Sequence, residues 1–325
     1  MGWCQLKDQI LSRLEAKQGQ YVSGAELAQE LGISRTAVWK HIQVLKQEGY
    51  RIAAVRNQGY RLEIRDPGGS IEPDTTGELK FGQQRLVLEE ASSTNSVAWE
   101  MADQGKLAEG AVVMALRQTR GRGRRGRTWE SPRGGLWFSI VLYPRLPAGD
   151  VAPLSLVFSL ALARALDKLT GVPVDVKWPN DVLMSGKKVA GILLEMNTEF
   201  DAVKYLVAGI GVNVNLRSED LPPELREKAT SLLIAAGRQF DVEEVLFAAL
   251  REMEKAYRRY LKTGFKGFRR EFAQRCAHFG RQVSVCLQGR ELTGIDRGVD
   301  ESGCLRLEME NGRILRVSSG DVILA

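Results

Sequence analysis

Apolar positions recur at helical spacing near the start of the chain, where Leu6, Ile10 and Leu14 line one side of residues 5–17. Shorter helical patterns follow. Ser23-Gly24-Ala25-Glu26 has the form of a capping box ahead of AELAQEL, and Gly32 ends that segment. Ser34 is placed to cap RTAVWKHIQVLKQE, which stops at Gly49. In that segment Val38, Ile42 and Leu45 predict a buried stripe, leaving Arg35, Thr36, Trp39, Lys40 and Gln43 on the other side. The period then changes to that of strands. YRIAAVRNQGYRLEI predicts two short strands around Asn57-Gln58-Gly59. Two helices joined through Gly-Ile-Ser and followed by such a hairpin predict a winged helix-turn-helix over residues 1–65.

Prolines and glycines in RDPGGSIEPDTTG predict a linker, residues 66–77. Strand and helix periods then alternate. RLVLEEASSTNSVAWEMADQG gives a strand and a helix, and GAVVMALRQT and GGLWFSIVLYP give strands. PLSLVFSLALARALDKLTG gives a buried helix. VPVDVKWPNDVLM and KKVAGILLEM flank a Ser185-Gly186 turn, KYLVAGIGVNVNL is a further strand, and Asp241 caps a long helix ending at Gly264. This order predicts an α+β domain over 78–275 with a mostly antiparallel sheet. Residues 276–325 carry only short strands and an Asn311-Gly312 turn, as a small SH3-like barrel would.

At 325 residues the chain suits two or three domains, and no apolar run approaches the roughly 18 residues of a membrane span. Charges interrupt the N-terminal segment, so no secretory signal is expected there; the expected location is cytoplasmic, with no membrane partner. Four cysteines without CxxC spacing fit reduced, structural thiols. A formal charge of +6 and a pI near 9.1 favour acidic partners. Six of these basic residues, against one acidic, fall between Ile33 and Leu62. That excess turns the winged domain into a candidate DNA reader. Its interface candidates are Ser34, Arg35, Thr36, Trp39, Lys40 and Arg56, with Trp39 also readable as partly core. Arg35 and Thr36 are placed for base edges, Lys40, Lys46 and Arg56 for phosphates. Neither His41 nor His278 adjoins a candidate nucleophile or ligand cluster, which argues against Ser-His-Asp chemistry and zinc.

GRGRRGR, residues 121–127, is the most charged motif. Its glycines fit GxGxxG, and the motif falls one residue short of a P-loop. Both of those need a helix directly afterwards, and Pro132, Gly134 and Gly135 in the sequel deny one. Arg117, Arg120, Arg122, Arg124, Arg125 and Arg127 crowd eleven residues with no carboxylate among them. A polyanionic ligand would relieve their repulsion, and the loop is expected to order around it. Nearby candidates sharpen that ligand. Ser93-Thr94-Asn95 offers hydroxyl and amide groups for a polar head group, or a plain helix cap. Gln118 precedes the loop. In Lys177-Trp178-Pro179-Asn180-Asp181, Trp178 is readable as a base-stacking ring or a core residue, and Asp181 as a Mg²⁺ ligand. Lys187-Lys188 opens the next strand, and Gly209-Ile210-Gly211-Val212-Asn213 offers close backbone approach and an amide.

Taken together, Gln118 with GRGRRGR, KWPNDV, KKVAGIL and GIGVNVN behind a winged helix-turn-helix resemble the biotin–protein ligases, in their bifunctional bacterial form that also represses the biotin operon. The resemblance covers essentially the whole chain. It implies a class II synthetase-like central sheet with helices, and activation of biotin by Mg²⁺ and ATP to biotinyl-5′-AMP. It further implies transfer of biotin to a lysine of a biotin carboxyl carrier protein. The adenylate would act as corepressor, favouring a homodimer that binds operator DNA. By the same resemblance Ser93, Thr94, Asn95, Gln118 and Arg122-Gly123-Arg124 contact biotin, and Lys188 lies near its carboxyl. Arg122, Arg124 and Lys188 assist the chemistry, while Trp129, Lys177, Trp178, Asn180, Asp181 and Asn213 surround the nucleotide and metal. Arg120 departs from the family, which usually has a small residue there. Two other readings remain open on the sequence: a lipoate-type acyl-adenylating ligase, and a ligand-sensing transcription factor without ligase activity.

Overall fold

The computed structural model describes residues 3–17, 20–47, 52–55, 58–62, 79–199, 202–287 and 290–324. They fall into two compact units, 1–69 and 70–325.

The first unit carries α1 (Trp3–Ala16), α2 (Gly24–Leu31) and α3 (Arg35–Gln47), then β1 (Ile52–Val55) and β2 (Gly59–Leu62). The apolar stripes meet as their spacing requires: Ile10, Leu14, Leu27, Val38, Ile42 and Leu45 are all fully buried in one cluster. Ser23 and Ser34 cap α2 and α3 by accepting from the Ala25 and Ala37 amides. The expected reciprocal half of the capping box is absent, because Glu26 is drawn instead to the Lys17 ammonium 3.4 Å away. The wing is real, with Ile52 opposite Leu62. Tyr60 exchanges both backbone bonds with Val22, pinning the wing to the segment before α2. Gly59 makes this possible: its φ is +108°, and a Cβ there would stand 2.1 Å from the Val22 carbonyl oxygen. Arg56, Asn57 and the expected 66–77 linker lie outside the described residues.

The second unit opens with β3 (Arg85–Ala91), α4 (Thr94–Asp103), β4 (Val112–Gln118) and β5 (Leu136–Leu142). Then come α5 (Leu154–Thr170), β6 (Val174–Lys177), β7 (Asp181–Met184), β8 (Lys187–Glu199) and β9 (Ala202–Val212). The helices α6 (Leu232–Ala236), α7 (Val242–Thr263) and α8 (Arg269–Arg275) follow. The seven strands order as β3-β4-β5-β9-β8-β7-β6. Only β3 and β4 run parallel, linked by α4; the other pairs are antiparallel, as expected. Strand alternation splits the core. Val112, Met114 and Phe138 face the layer of α5 and α7, while Val113, Val141 and Val207 face Ala98 and Ala102 of α4. The span 148–170 is long and apolar enough to cross a membrane, yet 72% of its apolar window is buried inside the fold. It contains the central core helix, α5.

Five strands complete the chain: β10 (Gln282–Leu287), β11 (Arg290–Val299), β12 (Leu305–Glu308), β13 (Ile314–Val317) and β14 (Asp321–Leu324). They form an antiparallel sheet ordered β13-β12-β11-β10-β14, with the expected SH3-like strand content. Val283, Val285 and Leu305 share the apolar cluster of α5 and α7, so this sheet and the central domain have one core. Residues 275–278 also run beside the edge strand β6, through the Ala277 amide on the Val176 carbonyl at 2.9 Å and Arg275 on the Val174 carbonyl at 3.1 Å.

One polar cluster lies between the core helices. Arg164 bonds Glu252 at 2.9 Å and Glu271 at 2.5 Å, and Lys168 reaches Glu252 at 2.6 Å. Burial by itself would raise the Glu252 pKa, but the bonds from Lys168 and Arg164 outweigh it and hold the carboxyl below its ordinary value. Arg164→Met should therefore cost about 1–3 kcal/mol, because Glu252 loses one of its two cationic partners and keeps only Lys168. Urea unfolding checks this, and a loss under about 1 kcal/mol would contradict it.

Candidate active site

The GRGRRGR loop connects β4 to β5 and folds back on itself, with the Gly123 amide bonded to the Arg127 carbonyl at 2.7 Å. As expected, no α-helix follows it; its one turn of 3₁₀ geometry holds Arg125 at φ +56°. Gly121 is crowded against the Trp129 carbonyl, where a Cβ would stand 2.2 Å from the oxygen. The loop roofs a cavity of about 130 Å³ whose floor is β8 and β9.

One end of the cavity is neutral and densely hydrogen-bonded. β3 and β4 continue their pairing past their ends, with the Thr119 and Arg120 amides on the Ala91 and Ser92 carbonyls. This sets Ser93, Thr94 and Asn95, at the start of α4, beside Gln118. The Thr94 amide and hydroxyl both reach the Gln118 amide oxygen, at 2.8 and 3.2 Å. Gln118 in turn donates to Ser131 at 2.8 Å. Ser93 stands at the N-cap position with no side-chain cap bond, which removes the plain-cap alternative for its hydroxyl. Ser139, buried in β5, lies 2.8 Å from the Thr94 hydroxyl and 2.6 Å from the Asn95 side-chain amide oxygen. The glycines of β9 make room here: a Cβ on Gly209 would fall 2.1 Å from Asn95, and one on Gly211 would fall 2.6 Å from the Trp129 indole.

The other end is cationic. Arg124 donates to Asn180 at 3.2 Å and to the Gly320 carbonyl at 3.3 Å. Burial lowers its pKa, while Asp321 and Asp181 raise it again; an arginine remains charged throughout. Lys188 pairs with Asp181 at 2.6 Å and lies 4.8 Å from the centre of the Trp129 ring. Asn180 is fixed to β8 by exchanging bonds with Ile192, at 2.6 and 3.0 Å.

The cavity thus gathers Ser93, Thr94, Asn95 and Gln118 with Arg122, Gly123 and Arg124, and it reaches Trp129, Asn180, Asp181 and Lys188. Three expected residues stand apart from it. Trp178 is 1% exposed and donates its indole N–H to the Gly303 carbonyl at 3.0 Å, so it is a core residue and does not stack on a base. Asn213 is buried and spends its amide on the Thr230 carbonyl, and Lys177 does not line the cavity.

Sequence reasoning missed three participants. Glu195 on β8 accepts from both Asn95 and Arg122 at 2.8 Å. Asp321, opening β14, receives Arg127 at 2.5 Å and lies 3.5 and 3.6 Å from Arg124 and Arg125. A loop with no carboxylate of its own is therefore partly neutralised by carboxylates 73 and 194 residues away. Ser139 had a faint signal, as the lone polar residue of an apolar strand; Glu195 and Asp321 had none. The expectation that His278 adjoins no ligand-type cluster also fails. Strand β11 brings Asp296 against it, with Cys276 beside both.

In the first unit Arg35, Thr36, Trp39 and Lys40 are exposed along α3, Trp39 at 52%, which removes its core reading. His41 packs inside, its pKa lowered by burial and by Lys7.

Comparison with known proteins decides the family. The biotin/lipoate A/B protein ligase family matches residues 87–215, a helix-turn-helix domain matches 7–61, and the biotin protein ligase C-terminal domain matches 278–325. The bifunctional ligase/repressor BirA of Bacillus spizizenii is 38% identical over 323 residues, covering 98% of both chains. The chain belongs to the bifunctional ligase/repressor family. The Escherichia coli bifunctional ligase/repressor BirA is 32% identical over 94% of each chain. Among solved structures, the Aquifex aeolicus biotin protein ligase in complex with biotin and ATP superposes with a TM-score of 0.64 at 33% identity, covering 74% of this chain and 98% of that one. In the ligase described here, Asp321→Asn should release the arginine loop. Tryptic cleavage within 122–127 is expected to quicken about fivefold, the value of roughly 1 kcal/mol for a part-exposed ion-pair cluster. Unchanged cleavage, read by mass spectrometry, counts against Asp321 as the loop's anchor.

Proposed function

We propose that this cavity joins biotin to AMP and then passes biotin to a protein lysine, with Arg122, Arg124 and Lys188 steadying the charge. The chain is an ATP-dependent biotin–[acetyl-CoA-carboxylase] ligase carrying a helix-turn-helix repressor domain. One observation carries the residue-level reading: a pocket lined by hydroxyls and amides runs directly into a cationic pocket under one arginine loop. Biotin needs both, an uncharged ring system at one end and a carboxylate at the other.

In the first step a biotin carboxylate oxygen attacks the α-phosphorus of ATP. The bond to the bridging oxygen breaks, and pyrophosphate leaves with the electron pair. In the second, the carrier lysine amine attacks the acyl carbon of biotinyl-5′-AMP, the acyl C–O bond breaks, AMP departs with the electron pair, and the amine's proton passes to solvent. Neither step needs a protein nucleophile. Both need positioning and positive charge where negative charge gathers, the first also against the repulsion between carboxylate and phosphate, and fixed cations supply this without reorganisation. Ser93, Thr94, Asn95 and Gln118 hold the biotin ring. Arg122, Gly123 and Arg124 close over its chain, with Trp129, Asn180 and Asp181 towards the nucleotide. Asp181 suits Mg²⁺, which typically takes one or two carboxylates together with substrate phosphates. Bound there, the ion would neutralise phosphate charge, and Lys188 is the cation that balances Asp181 meanwhile.

We further propose that the product adenylate orders the loop and favours a homodimer, which binds operator DNA through Ser34, Arg35, Thr36, Trp39, Lys40 and Arg56. Biotin carboxyl carrier protein is the acceptor, and the cytoplasm is the setting. Pyrophosphate exchange into ATP tests the reaction: biotin should support it and lipoate should not. Exchange with lipoate alone would point to the lipoate-type ligase, and tight biotin binding without exchange to a sensor. Lys188→Ala should slow exchange about 100-fold. Arg124→Gly should hasten release of biotinyl-5′-AMP, and an unchanged release rate would contradict its assignment.

A further inference from the structure

A buried polar cluster outside the cavity has no place in the reaction so far. His278 and Asp296 are both 0% exposed, and Cys276 is 9% exposed. Their ligand-type atoms lie within 4.8 Å of one another, a spacing that invites a metal. The bonding excludes one, because both ring nitrogens are in use. His278 Nδ1 is 2.7 Å from Asp296 Oδ2, and Nε2 lies 3.1 Å from the Trp178 backbone nitrogen. No room is left for an ion between the first pair, whose contact is an ordinary hydrogen bond.

The backbone N–H of Trp178 can only donate, so Nε2 accepts and carries no proton. The ring proton is then on Nδ1 and is donated to Asp296. Asp296 is itself oriented. Its other oxygen accepts the Gly298 amide at 2.7 Å, and the Cys276 thiol points at Oδ2 from 3.8 Å. That thiol stays protonated and a donor, since burial pushes its pKa up to about 12. The carboxylate therefore receives three donors, and together they select one histidine tautomer.

Trp178 is where this matters. It ends the stretch from β6 that turns into Asn180 and Asp181, which face Arg124 and Lys188 in the cavity. We propose that His278 and Asp296 are positioning residues: the aspartate fixes the histidine tautomer, and the histidine holds the Trp178 amide so that Asn180 and Asp181 meet the nucleotide. The inference rests on the reading of those two residues as the nucleotide side of the site. It makes the C-terminal strands part of the adenylation machinery, through a three-member relay of orientation and no transfer of protons.

The test follows from tautomer logic. In Asp296→Asn the Gly298 N–H keeps the carbonyl oxygen, so the new NH₂ faces His278 Nδ1. The ring must then carry its proton on Nε2, against the Trp178 N–H. ATP–pyrophosphate exchange with the full-length protein should show the KM for ATP raised or kcat lowered about tenfold. The Kd for biotin alone, by calorimetry, should stay within twofold. His278→Gln places an amide oxygen where Nε2 was. The double variant Asp296→Asn/His278→Gln should therefore exchange faster than Asp296→Asn alone, because the tautomer conflict is gone. A purely structural cluster predicts the opposite: the double variant is the worse, and biotin affinity falls with the rate. Either that pattern or an unaffected Asp296→Asn overturns the proposal. Asn180→Ala is measured alongside. If it leaves exchange unchanged, the reading of the nucleotide side fails; if it slows exchange while Asp296→Asn does not, only the positioning fails.

Discussion

Like charges forced together in a small enclosed space are the constraint around which this site is built. Arg124, Arg125 and Arg127 converge beneath one loop, and unopposed they would drive it open. The fold answers with carboxylates from distant strands, Glu195 at one end and Asp321 at the other. Lys188 and Asp181 repeat the arrangement on the floor. The site is thus a set of internal ion pairs, Arg122 with Glu195, Arg127 with Asp321 and Lys188 with Asp181.

The neutral half depends on shape more than on charge. Thr94, Asn95, Gln118, Ser131 and Ser139 satisfy one another in a network buried between the first strands and α4. Such a network keeps its geometry without a ligand, since every departure would orphan a buried polar group. The glycines of β9 complete it by yielding space to Asn95 and Trp129.

Much of this was legible in the residues. Helical and strand periods gave the elements, and a proline and two glycines after the arginine loop ruled out the nucleotide-binding helix that its glycines suggest. Motif spacing collected most of the cavity. What escaped had two physical causes. Partners such as Asp321 and Glu195 act by proximity in space, and nothing about a single acid in a strand announces the arginine it will meet. Trp178 failed for the reverse reason: it sits inside a functional motif, but the motif's backbone faces the site while its indole anchors the core. Asn213 divides in the same way, holding a neighbouring carbonyl instead of a ligand.

The distribution of apolar contacts says where this protein can be cut. Residues 1–69 have their own core, and the Aquifex aeolicus ligase, almost all of which is matched by 74% of this chain, makes do with a shorter polypeptide. No comparable seam runs between the central sheet and the last five strands, which share a single apolar cluster and a bonded strand edge. A lineage could therefore gain or shed the DNA-reading unit as a cassette, acquiring or losing regulation in one genetic event. The C-terminal strands cannot be traded so freely, because the same interior would have to be refitted on both sides at once.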